Sequence, residues 1–261
     1  MIVTDTIEDI KKTLDGVDTD TLVVFDCDDV LTTLNGQLWK RKNHKFFADW
    51  CERNFPDCSV HTLYEVANSI LVLSENLLVN EEMPKIVEGL YAKNVQAFVL
   101  TALSIKPIAS VSDPLKWRVA TLKEFGYDFG KFWPSLADKR FDGFAHDYPP
   151  AYSSGIVCSG EIPKGESFTA FVKYSGIKPA RVIFIDDKDD TIENVEMACQ
   201  ALAIEFVGIR YLEADKIVSD VPFSEKMYDY QLATVTRKNV WVPDSDAARH
   251  CGITTLETSP T

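Results

Sequence analysis

A chain of 261 residues, 46% apolar and 26% charged, has the composition of a folded globular protein, which excludes disorder as its main state. Its 27 basic and 40 acidic residues leave a net charge of −13, which repels polyphosphate backbones and sets nucleic acid aside as a partner. No apolar run approaches the roughly 20 residues that span a bilayer, and the opening MIVTDTIEDIKKTLDG lacks the basic-then-apolar order of a signal peptide. The expectation is a soluble, cytoplasmic protein with no membrane span.

Residues 22–25, 97–100, 182–185 and 206–209 are short apolar runs rich in Val, Ile and Phe, without alternation. Strands covered on both faces of a parallel sheet read this way. Helical patterns lie between the runs, so the predicted fold is α/β: a Rossmann-like open parallel sheet flanked by helices. Such sheets bind ligands beyond the carboxyl ends of their strands, where Asp26, Thr101 and Asp186 stand.

After the first run, Asn35-Gly36 predicts a two-residue hairpin turn and with it a short β-flap. Residues 43–93 read as helices, with Phe46, Phe47, Trp50 and Cys51 on one face and Leu63, Val66, Ile70 and Leu77 on another. That exceeds a simple crossover. An inserted helical cap is expected over residues 37–80, leaving 1–36 and 81–261 as the core. Asp113-Pro114 opens a helix that carries Leu115, Val119, Leu122 and Phe125 on one face and stops at Gly126. The segment 127–152 reads as irregular loop, and periodicity fades past about residue 212, so 244–261 is taken as a polar tail of the core.

Chemistry concentrates at the strand ends. In Asp26-Cys27-Asp28-Asp29, two carboxylates two residues apart on a turn can face one crevice, one as nucleophile and one as proton carrier. The calcium-loop pattern fails, because Val30 and Leu31 take positions that need acid and glycine. In Asp186-Asp187-Lys188-Asp189-Asp190 the crowded acids suit Mg²⁺, with Asp186 as one ligand and either Asp187 or Asp190 as the second. The Thr101 hydroxyl can donate to a phosphoryl oxygen. Lys164, in the punctuated loop Gly160-Glu161-Ile162-Pro163-Lys164-Gly165 before a helix starting near Glu166, is preferred over Lys106 and Lys173 as the neutralising cation. Lys40, Arg41, Lys42 and Lys45 read as a solvated helix start. Six scattered cysteines without a CxxC pair speak against structural zinc and a dense disulfide framework. The P-loop and G-x-G-x-x-G layouts are absent, and the four histidines show no ligand spacing.

The order Asp-x-Asp, Thr, Lys, Asp-Asp resembles the haloacid-dehalogenase-like (HAD) superfamily over roughly residues 20–200. The resemblance implies Asp26 as nucleophile, Asp28 as general acid/base, Thr101 and Lys164 as phosphoryl binders, and a Mg²⁺ site at Asp186 and Asp187, with Asp26 and Asp28 also placed at the metal. It implies a type-1 helical cap and an aspartyl-phosphate route to hydrolysis of a small phosphorylated substrate. Aspartate at position 28 is typical of the family's phosphatases and phosphomutases, and absent from its dehalogenases and transport ATPases. A phosphomutase or phosphotransferase, or a non-catalytic protein that binds a phosphorylated ligand, are the alternatives.

Overall fold

The structure is a computed structural model that describes residues 1–55, 57–217 and 219–253. Its strands are β1 (Ile2–Thr4), β2 (Thr21–Phe25), β3 (Thr32–Leu34), β4 (Asn76–Leu78), β5 (Gln96–Thr101), β6 (Lys139–Arg140), β7 (Ala151–Ser153), β8 (Ile156–Cys158), β9 (Arg181–Asp186) and β10 (Glu205–Tyr211). The helices are α1 (Ile7–Asp15), α2 (His44–Asn54), α3 (Val60–Leu73), α4 (Met83–Ala92), α5 (Pro114–Glu124), α6 (Lys164–Ser175), α7 (Asp189–Ala201), α8 (Glu225–Lys238) and α9 (Asp244–Cys251). None is long and apolar enough to cross a membrane.

Two compact units divide the chain. The first joins residues 1–33, 78–107 and 113–214. Its sheet runs β1-β10-β9-β2-β5-β8-β7-β6, with only β7 reversed, and is flanked by helices in the Rossmann-like manner. Every residue of β2 is buried, as is all but the first residue of β5 and β9. The unalternating apolar runs have that origin. Because β9, β2 and β5 are adjacent and parallel, their carboxyl ends open side by side at Asp186, Asp26 and Thr101.

The second unit joins residues 34–77, 108–112 and 215–261, and its described part carries α2, α3, α8 and α9. Here the sequence expectation needs correction: the described residues after 214 group with the helical insertion, and Asp244–Cys251 is a helix, not a tail. The remaining tail residues, 254–261, lie outside the described residues. α8 buries Met227, Tyr228, Gln231, Leu232 and Val235, a helical face whose polar members hide it from an apolar pattern search.

The expected Asn35-Gly36 hairpin does not form either. β3 pairs with β4 across the whole insertion, Asn35 N donates to Glu75 O at 2.9 Å, and Gly36, at φ 154°, lacks the positive-φ partner that the turn needs at Asn35. The two-residue turn is elsewhere, at Ser154 (φ 47°) and Gly155 (φ 78°) between β7 and β8. So the segment read as loop to residue 152 already holds β6, most of β7 and a 3-10 turn over Phe129–Phe132.

Candidate active site

Past β2 the chain turns tightly: the Cys27 carbonyl accepts from Val30 N, Leu31 N and Thr32 N at 3.4, 2.9 and 3.0 Å, and Asp29 takes φ 64°. Asp26 N still donates to Ile185 O at 2.8 Å, which ties the start of the turn to β9. The Asp26 and Asp28 carboxylates both leave this turn, but they meet different partners.

Lys164 is the first residue of α6, two positions earlier than the sequence suggested. Its buried ammonium stands 2.6 Å from Asp26 Oδ1 and 2.8 Å from Asp186 Oδ2. Asp186, with no exposed surface, accepts from Lys188 N at 2.9 Å through its other oxygen. Asp26, Asp186 and Asp187 are all buried, and each brings a carboxylate oxygen within 4.8 Å of the others. Buried carboxylates this close repel one another, and a divalent cation among them would offset that repulsion. An all-oxygen donor set of this kind fits a hard divalent cation such as Mg²⁺.

The local electrostatics follow. Burial pushes the Asp186 carboxyl up to about 7, with Lys164 opposing and Asp26 and Asp187 adding to the shift. Burial pulls on Lys164 in the opposite sense, but Asp186 and Asp26 outweigh it and hold the ammonium above its ordinary value. Lys188, an exposed residue, is likewise raised by Asp187 and Asp26, which brings a second cation near the acids. Burial raises the Cys27 thiol far above its usual range and Cys158 to about 12, so neither is a thiolate nucleophile.

Asp28 departs from expectation. It is not among the acids that converge; its side chain is instead held by Arg118, whose Nη2 lies 2.8 Å from Oδ1 and 3.2 Å from Oδ2. Thr101 Oγ1 donates to the same Oδ2 at 3.3 Å, so Thr101 does stand at the site. The Asp28 carboxylate is thus engaged by α5 and β5, and it is not one of the three carboxylates that converge within 4.8 Å. Of the two candidates for the second Mg²⁺ acid, Asp187 joins the cluster, whereas Asp190 is exposed on the first turn of α7. Neighbouring Asp189 pairs with Arg210 at 2.6 Å.

Arg118 is the residue sequence reasoning missed. Its signal was an arginine on the face of α5 shared by Leu115 and Leu122, at i+3 and i−4. In the second unit, the basic segment is less solvated than expected. Lys40 is buried, Arg41 lies 3.4 Å from Asp215, and both line a cavity of about 420 Å³ together with Gln37, Lys42 and Ile217. Lys45 pairs with Asp49 at 2.8 Å.

Compared with known proteins, the chain matches the family described as protein of unknown function DUF2608 over residues 3–244. It is 21% identical over 243 residues to an uncharacterized protein of Rickettsia prowazekii (strain Madrid E), covering 92% of this chain and 86% of that one. It is 33% identical over 60 residues to a putative outer membrane protein of Chlamydia pneumoniae, 23% of either chain. No solved structure gives a significant match.

Proposed function

The chain belongs to the DUF2608 family, and we propose that it is a Mg²⁺-dependent phosphomonoester hydrolase of the HAD-like type, acting on a small phosphorylated molecule through an aspartyl-phosphate. The observation that carries this reading is the convergence of Asp26, Asp186 and Asp187, the first two of them paired with the Lys164 ammonium, at the carboxyl ends of adjacent parallel strands. Mg²⁺ held by those three carboxylates would supply positive charge to the phosphoryl oxygens.

The chain's own groups divide the remaining work. Lys164 fixes the Asp26 carboxylate and lowers its repulsion toward a phosphate dianion. Asp26 attacks phosphorus in line as the ester P–O bond breaks, and Asp28 protonates the departing oxygen. Asp28 then takes a proton from the water that hydrolyses the aspartyl-phosphate. Thr101, buried at the end of β5, donates its hydroxyl to Asp28 and helps hold that carboxyl in place. Two inversions at phosphorus give net retention. In this reading the inserted second unit serves as the cap.

Turnover of a nitrophenyl phosphate is expected with Mg²⁺, lost in EDTA and restored on adding the metal back. Asp26→Asn should lower it by a thousandfold or more, on the order expected for loss of a nucleophile. Absence of turnover by the unaltered protein across a broad set of phosphomonoesters sinks the reading. A second reading draws on Asp28, whose two oxygens are both engaged: a protein that binds a phosphorylated ligand without turnover. Saturable binding of that ligand with no release of phosphate over hours selects it.

A further inference from the structure

A buried arginine on an otherwise apolar helix face calls for a physical reason. Arg118 has no exposed surface, and its guanidinium has surrendered its hydration to packing beside Trp117, whose ring lies 5.0 Å away. Only Nη2 finds an acceptor; Nε and Nη1 have no hydrogen-bond partner among the described residues. An ion pair kept for stability satisfies its donors, and this one leaves the Nε–H and both Nη1–H groups without a partner among the described residues.

What the arrangement does achieve is control of one carboxylate. Asp28 is pinned from α5 by Arg118 and from β5 by Thr101, while 26% of its side chain stays exposed. Asp26 has its own cation in Lys164. Asp26 and Asp28 thus have separate basic partners. Arginine keeps its proton at any working pH, so Arg118 cannot itself exchange one. Its influence must pass through the position of Asp28.

We propose that Arg118 is a positioning residue for proton transfer: it holds the partly exposed Asp28 carboxyl so that it can reach the leaving-group oxygen. The inference rests on the hydrolase reading above. In the step concerned, the electron pair of the breaking P–O bond goes to the leaving oxygen, and the proton on Asp28 passes to that oxygen. An alkoxide needs this proton, whereas nitrophenolate departs without it.

The test compares the unaltered protein, Arg118→Lys, Arg118→Gln, Asp28→Asn and the Arg118→Lys/Asp28→Asn double variant, with Mg²⁺ present. Single-turnover release of the leaving group is followed for an alkyl phosphate and for nitrophenyl phosphate, so that only the first P–O cleavage is read. Either Arg118 variant should lose about a hundredfold or more with the alkyl ester and less than about tenfold with the nitrophenyl ester, the span set by general-acid contributions. KM should stay within about threefold, and the double variant should be no slower than Asp28→Asn alone, as for residues acting as a unit. Equal losses with both esters, or additive losses in the double variant, overturn the proposal while leaving the hydrolase intact. No turnover by the unaltered protein overturns both. Circular dichroism and thermal melting report folding. If both Arg118 variants fail to fold while Asp28→Asn folds, Arg118 serves the core and the proposal falls.

Discussion

Asp186 sits without solvent at the end of β9, and its folded carboxyl is pushed up to about 7, whereas the unfolded chain releases that proton near pH 4. Between those values the folded state keeps a proton that the unfolded state has lost. Stability from this group is therefore present at low pH and declines as pH rises from about 4 to about 7. In EDTA the protein should melt at a lower temperature at pH 7.5 than at pH 5.5, and Asp186→Asn should shrink the difference. Metal ligands must be deprotonated, so Mg²⁺ should raise the melting temperature more at pH 7.5 than at pH 5.5. A Mg²⁺ effect equal at both values, or none at all, contradicts the placement of a cation among these acids.

The same residues show what a sequence discloses at this scale. Asp26 and Asp186 were legible because each ends a run of apolar residues buried on both faces, which fixes where the carboxylate emerges. Lys164 was legible from its punctuated loop. Arg118 was not, because an arginine on a helix is solvated by default, and only tertiary packing shows that this one turns inward. The choice between Asp187 and Asp190 likewise depended on where β9 hands over to α7.

Among the elements, strands followed from composition and turns did not. Asn35-Gly36 has the stronger hairpin signal, yet β3 finds β4 from the far end of the insertion, because a long-range partner can outweigh local turn preference. The turn the molecule does use, Ser154-Gly155, carries an unremarkable pair of residues. There Gly155 holds φ 78°, and a Cβ on it would stand 2.3 Å from the Phe129 carbonyl oxygen. Strain at positive φ and the clash add, so Gly155→Ala should cost about 2–4 kcal/mol in urea unfolding. The β7-β8 hairpin ends at Cys158, and β8 pairs with β5, the strand that presents Thr101. A loss under about 0.5 kcal/mol, of the size typical of neutral surface changes, contradicts the turn as described.

Over the whole molecule, the separation into two units was legible near the insertion and illegible at the other end of the chain. Expected over 37–80, the helical insertion occupies 34–77 of its unit, because helical periodicity marks it from within. The C-terminal contribution escaped because polar side chains stitch it in place. Buried Asp244 accepts from Gln37 N at 3.2 Å, Tyr228 Oη at 3.1 Å and Gln231 Nε2 at 3.0 Å, linking the start of α9 to α8 and to the beginning of the insertion. Apolar pattern searches pass over an aspartate, a tyrosine and a glutamine, although together they do the joining. Removing the acceptor strands the Gln37 N–H and the Tyr228 hydroxyl and takes from Gln231 Nε2 one of its two acceptors, so Asp244→Ala should destabilise this unit by about 2 kcal/mol or more, whereas an aspartate in a solvated tail would change stability by less than about 0.5 kcal/mol. Tyr228→Phe removes one donor without stranding the others and should cost about 1 kcal/mol. Urea unfolding measures both losses, and limited proteolysis locates them: Asp244→Ala should speed cleavage within residues 34–77 and 215–253 together. Cleavage confined to the last residues, with the insertion as resistant as before, shows instead that the two segments stand apart.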